Sequence, residues 1–123
     1  MKHYEQLMYQ WLLNKNIGKT VDKYLNVFNV KKVAIYGAGL IGDIIFQDLK
    51  DGDIQVVCFI DKGKTHQKLY DIPIVDFDCY ELFENLDAII VSLGHCYYAI
   101  RKELRESGFN RNIINIEEIV YNK

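Results

Sequence analysis

The sequence predicts an α/β fold on a mainly parallel sheet, and three observations predict it. Short apolar runs at 33–36, 54–60, 72–75, 88–93 and 112–116 read as strands. Segments of helical period at 40–50, 79–84 and 96–107 stand between them. The runs at 33–36 and 88–93 lack polar alternation, as strands covered on both faces do. Strands alternating with helices imply right-handed crossovers in a parallel sheet. About five strands fit the order 3-2-1-4-5.

Each element has its own signal. Tyr4, Leu7, Met8, Trp11 and Leu12 form one apolar stripe of a first helix, which Gly18 ends. Thr20 is placed to cap a second, striped by Val21, Tyr24, Leu25 and Phe28. Asp51, Gly52 and Asp53 make a turn. Residues 62–70 are polar and read as a loop. Pro73 has no N–H to give a ladder, so its strand is expected toward an edge. Gly108 closes the helix before the last strand, and a short helical tail follows. The domain division is therefore a helical extension over 1–30 and a ligand-binding α/β domain over 31–123.

Composition sets the outer bounds. The 123 residues fit one domain, and half of them are hydrophobic. A formal net charge of -2 gives no reason to expect nucleic acid or an anionic membrane as partner. No run of 18 apolar residues occurs, and the N-terminus lacks a signal-peptide core. The three cysteines, Cys58, Cys79 and Cys96, and the three histidines, His3, His66 and His95, are scattered. Neither a disulfide framework nor a zinc site is expected, and a cytoplasmic location is the default.

The chemistry lies where the first strand enters glycines. Gly37, Ala38, Gly39, Leu40, Ile41 and Gly42 spell G-x-G-x-x-G between a strand and a helix, and Asp61 ends the second strand 24 residues after Gly37. This is the context of a Rossmann-like dinucleotide site. Gly37 permits the tight turn, Gly39 lets a pyrophosphate approach the backbone, and Gly42 lets helix and strand pack closely. The helix N-terminus then holds the anion. Asp61 is placed to accept from ribose hydroxyls, and its charge favours NAD over NADP. The strand order reverses between the first and fourth strands, so a crevice is expected between 37–40 and 92–96. Ser92, Gly94 and His95 line its far wall. Asp43, in the helix's first turn, competes with a phosphate unless it points away. Lys62, Lys64 and Lys68 beside Asp61 read as solvated charges, with phosphate contact as the alternative.

The runs Val-Ala-Ile-Tyr-Gly-Ala-Gly-Leu-Ile-Gly (33–42), Val57-Cys58-Phe59-Ile60-Asp61, Ile72-Pro73-Ile74-Val75 and Ala88-Ile89-Ile90-Val91-Ser92 resemble one module. It is the CoA-binding-like or NDP-sugar-binding domain of polysaccharide and sugar-nucleotide enzymes. CapD-like dehydratases and PglD-like acetyltransferases carry it at their N-termini. A glycine usually precedes the Ile-Pro there, and Asp71 stands in its place. The resemblance implies a module binding NAD or an NDP-sugar, with Gly37, Gly39, Gly42 and Asp61 as contacts. It also implies a separate catalytic domain, since no catalytic half is recognisable.

Two other functions stay open at this level. A small NAD-dependent oxidoreductase would need His95 or Tyr98 for proton transfer. Tyr98 and Lys102 have the Tyr-x-x-x-Lys spacing of short-chain dehydrogenases, though their distance from the glycine loop is wrong for that fold. An interaction module with a vestigial pocket is the other reading. The two leading helices motivate it, and with it a homodimer.

Overall fold

The computed structural model describes residues 2–76, 78 and 80–122. Six strands form one sheet: β1 (Lys32–Tyr36), β2 (Gln55–Ile60), β3 (Lys68–Leu69), β4 (Ile72–Val75), β5 (Ala88–Val91) and β6 (Asn112–Asn115). Their order is β3-β4-β2-β1-β5-β6, and every pairing is parallel except β3 with β4. The fold is thus the expected α/β, and the five expected strands stand in the expected 3-2-1-4-5 order. The sixth is an addition: part of the expected loop over 62–70 pairs as the edge strand β3.

That edge explains Asp71. Lys68 pairs with Pro73 and Leu69 with Ile72, which leaves Tyr70 and Asp71 as a two-residue hairpin turn. Both have positive φ, 54° and 65°, as a primed turn requires. A glycine adopts this at no steric cost, and aspartate is among the residues that tolerate it. Tyr70 is held there by stacking on Phe46, with ring centroids 4.9 Å apart, and by donating from its hydroxyl to Asp43 Oδ1 at 2.8 Å. Pro73 therefore lies one strand in from the edge, where its missing N–H is tolerated.

Helices α1 (Lys2–Asn16), α2 (Val21–Val27), α3 (Leu40–Leu49), α4 (Tyr80–Phe83), α5 (Tyr97–Glu106) and α6 (Ile116–Val120) cover the two faces. Cys79, at the start of the helix expected over 79–84, lies outside the described residues. The crossover β1-α3-β2 runs one way along the sheet, and β5-α5-β6 runs the other. Right-handedness therefore puts α3 on one face and α5 on the opposite one. The α5 face buries Ala34, Cys58, Ile60, Ile89 and Val91 against Phe83, Ile100 and Leu104. On the α3 face this winding alone leaves β5 and β6 bare. Leu7, Trp11, Leu25, Ile116, Ile119 and Val120 fill that space and join Val33, Ile35, Ile45, Ile90 and Ile114 in a single core. The leading helices thus share the core of the sheet.

Details of α1 and α2 differ from the expected stripes. Leu12 is exposed, and buried Asn14 takes its place, donating to the Val120 carbonyl at 2.7 Å. Thr20 sits at the N-cap of α2 but makes no side-chain cap bond. Trp11 Nε1 donates to Asp48 Oδ2 at 2.7 Å and Lys15 pairs with Asp48 Oδ1 at 2.8 Å, which pins α1 to the C-terminal end of α3.

At the opposite end of the strands from the glycine loop, Asp87 joins β1 to β5. Its Oδ2 accepts from the backbone N–H groups of Lys31 and Lys32, both at 2.9 Å. Those two bonds, with help from the Arg111 charge, hold its carboxyl below the ordinary 3.8. A depressed folded value stabilises the fold above the unfolded pKa, and this contribution is lost as pH falls through the folded one. Asp87→Asn is expected to flatten the fall in stability below about pH 4, as read by urea unfolding across that range.

Candidate functional site

Four strand ends build the site. In β2, Val57 is an extra residue relative to β1, so Val33 faces Val56 while Ala34 faces Cys58. This bulge brings Tyr36 level with Ile60, and the two strands end side by side. Gly37 N–H then donates to the Ile60 carbonyl at 2.8 Å, and Asp61 N–H to the Val75 carbonyl at 3.0 Å. Ser92 N–H donates to the Tyr36 carbonyl at 3.0 Å. The ends of β4, β2, β1 and β5 are thereby tied in a row beneath the loop.

The glycines of the loop do different work. Gly37 has φ +102°, and a Cβ there would overlap Ser92 Oγ. A Cβ on Gly42 would overlap the Gly37 carbonyl oxygen and come within 3.5 Å of Ile35 Cγ2. Those two positions fix the turn and the packing of α3 on β1. A Cβ on Gly39 would meet nothing within 4 Å, so the chain there faces open space. Gly39 is the N-cap of α3, and the first intrahelical bond runs from Asp43 N–H to its carbonyl at 3.0 Å. The N–H groups of Leu40, Ile41 and Gly42 have no partner within the helix. Leu40 itself is 83% exposed, while Gly42 in the same turn is buried against β1.

Four charged groups stand on or near the loop. Asp61, expected at a ribose, holds two backbone donors: Ala38 N–H to Oδ2 and Gly63 N–H to Oδ1, both at 3.0 Å. A carboxylate has about four acceptor sites, so it can take a ligand hydroxyl as well. Lys64, read from sequence as a solvated charge, stands on the loop, its Nζ donating to the Ala38 carbonyl at 3.0 Å. Lys62 instead pairs with Glu103 at 3.2 Å. Asp43 is engaged by Tyr70 and by Gln47 Nε2, the latter at 3.3 Å. Its charge is committed to the β3–β4 hairpin. Asp61→Ala strands the two backbone donors, and about 1–2 kcal/mol of stability should go with it. Asp61→Asn, which keeps one acceptor, should lose about half as much by denaturant unfolding.

The far wall departs from expectation in its side chains. Ser92 is buried and its Oγ donates to the Tyr36 carbonyl at 2.7 Å, so the hydroxyl supports the turn at Gly37. His95 is exposed on a 3₁₀ turn over Gly94–Cys96. Tyr98 is 84% exposed and Lys102 reaches toward Glu106, so this pair does not assemble beside the loop. Sequence reading missed three residues. Tyr36 precedes the loop, and burial pushes its phenol up, with the Glu103, Asp76 and Asp61 carboxylates adding to it. It stays a hydroxyl donor at neutral pH. Glu117 lies so close to Gly94 that any Cβ there would overlap its carboxylate. His3 Nε2 lies 3.1 Å from Glu117 Oε2. No local spacing links residues 114 positions apart, and only the fold brings them together.

Several cavities have linings that exclude residues 37–42. One of about 310 Å³ lies between Asn14, Thr20, Tyr24, Val27 and Val120. It sits at the far end of α1 from His3, roughly 16 Å away at 1.5 Å per helical residue.

Residues 29–115 match the model of a family described as C2185-like, N-terminal. The chain belongs to the C2185-like N-terminal family. The match runs from before β1 through β6, so it includes the glycine loop, Asp61, Lys64 and Ser92. The leading helices and α6 of this C2185-like chain lie outside it. No curated protein matches the sequence. Among solved structures, UDP-D-quinovosamine 4-dehydrogenase from Vibrio fischeri is similar at 22% identity and a TM-score of 0.53. The match covers 74% of this chain and 84% of that one. RSP, a Rex-family repressor, is similar at 16% identity and a TM-score of 0.52, over 76% of this chain and 56% of that one. These likenesses show a Rossmann-like fold for the C2185-like chain.

Proposed function

We propose that this protein is a nucleotide-binding module that holds the diphosphate of NAD or of a nucleotide sugar over residues 37–42, serving sugar-nucleotide or polysaccharide metabolism. The observation that carries this reading is the exposed start of α3, where Gly39 presents bare backbone and the first-turn N–H groups have no acceptor within the helix. Backbone donors at a helix N-terminus favour an anion. Lys64, parked on the Ala38 carbonyl, adds a cation that can turn to a phosphate. Asp61 supplies acceptor sites for ribose hydroxyls at the end of β2. Ser92 and Gly94 shape the opposite wall. The likeness to a UDP-sugar dehydrogenase supports the sugar-nucleotide assignment. The family's description as N-terminal supports a binding module that works with a separate catalytic domain.

A thermal-shift series with NAD, NADP, UDP, UDP-glucose and coenzyme A tests it. A true ligand at 100 times its Kd adds about 2.7 kcal/mol of stability. Stabilisation by at least one diphosphate-containing nucleotide is expected. No shift with any of them at millimolar concentration contradicts the reading.

A further inference from the structure

Beyond the glycine loop, the carboxyl end of the sheet carries a second polar group that the common fold does not supply. Contacts lead to it without a break. Ser92 Oγ occupies the space beside Gly37 that a Cβ would need. Two residues on, Gly94 lies against the Glu117 carboxylate. Glu117 follows β6, and the Asn115 side chain holds its position by accepting from Glu117 N–H at 2.9 Å. His3, at the start of α1, completes the pair at 3.1 Å. Glu117 is about one-quarter exposed and His3 about half exposed, so a ligand can reach both.

We infer that Glu117 and His3 form a hydroxyl-binding subsite for the sugar that a bound nucleotide carries beyond its diphosphate. The inference rests on the nucleotide reading above and assigns the distal half of that ligand. Its basis is the order of strands. Asp61 ends β2, the glycine loop follows β1, Gly94 follows β5 and Glu117 follows β6. From the end of β2 to the end of β6 is three strand spacings, about 14 Å at about 4.8 Å each. A nucleotide with its ribose at Asp61 and its diphosphate on the loop extends its second sugar along that row. Glu117 then meets vicinal hydroxyls through its carboxylate oxygens, and His3 holds the carboxylate through Nε2 and offers its Nδ1. Hydrogen bonds to a charged group are the stronger kind. Both residues lie outside 29–115, on helices beyond the family match. The second sugar can be the nicotinamide ribose of NAD or the glycosyl group of an NDP-sugar, since the hydroxyl chemistry is the same.

The test compares each ligand with its truncated form by calorimetry. UDP-glucose is set against UDP and NAD against ADP, in the natural protein and in Glu117→Gln and His3→Gln. In the natural protein one sugar-bearing member is expected to bind about tenfold more tightly than its truncated partner. The member that shows this advantage identifies which sugar is read. Glu117→Gln is expected to erase most of the advantage and His3→Gln part of it, with UDP or ADP affinity unchanged. Equal ratios in natural and variant proteins overturn the inference, whatever the variants do to melting temperature, because a merely structural tie between α1 and α6 would move stability alone. Equal affinity for long and short ligands in the natural protein also overturns it and leaves the nucleotide reading standing. Absence of binding by all four ligands removes both.

Discussion

Gly42→Ala is expected to lower stability by about 3 kcal/mol, the upper part of the usual range for forcing extra volume into a packed interior. The added Cβ would overlap the Gly37 carbonyl oxygen and stand 3.1 Å from the Gly37 carbonyl carbon. Neither is the end of a flexible side chain that can swing aside. To make room, α3 must lift from β1, and that contact buries Ile35, Ile45 and Leu49 in the core. For a chain of this length the loss corresponds to a fall of about 12 °C in melting temperature, at roughly 4 °C per kcal/mol. A melting temperature within 2–3 °C of the parent's would show that the close approach at Gly42 is not what holds the helix.

Gly39→Val should do the reverse, lowering the melting temperature by no more than about 4 °C, the cost of a poor N-cap residue, and costing about a hundredfold in nucleotide affinity. The backbone there is extended, with φ -96° and ψ -156°, so a branched side chain fits it. Its Cβ points into open space. That same space is where a phosphate must lie to meet the N–H groups of the first turn. Losing about two charge-assisted bonds of 1.5 kcal/mol or more each gives the hundredfold figure. Calorimetry with the ligand found by thermal shift checks it. The two substitutions separate a glycine that the fold needs from a glycine that the ligand needs, three residues apart in one motif.

What was legible in the sequence was local. The glycine spacing, the apolar strands and the acidic residue at the end of β2 are each written within a dozen residues, and the strand order followed from right-handed crossovers. What was not legible depended on distant partners or on chemistry without a residue signature. The β3–β4 turn has positive φ at Tyr70 and Asp71, and no glycine announces it. Tyr70 keeps that conformation through Phe46 and Asp43 on α3, 24 and 27 residues upstream. Leu12 gave way to Asn14 on α1 because a buried amide there meets the Val120 carbonyl. Lys64 reads as one of several solvated lysines until the fold lays it on the Ala38 carbonyl. The His3–Glu117 pair joins the two ends of the chain. The role of α1 and α6 follows from the winding, which leaves β5 and β6 uncovered on the α3 face.

The claim that a nucleotide diphosphate binds across residues 37–42 is tested most directly by amide chemical-shift mapping. The ¹⁵N-labelled protein is titrated with the nucleotide that stabilises it most. The account predicts the largest shifts at Gly39, Leu40, Ile41 and Gly42, with smaller ones at Ala38, Asp61, Gly63 and Gly94. Shifts concentrated instead at Thr20, Tyr24, Val27 and Val120, around the cavity at the far end of α1, would contradict it.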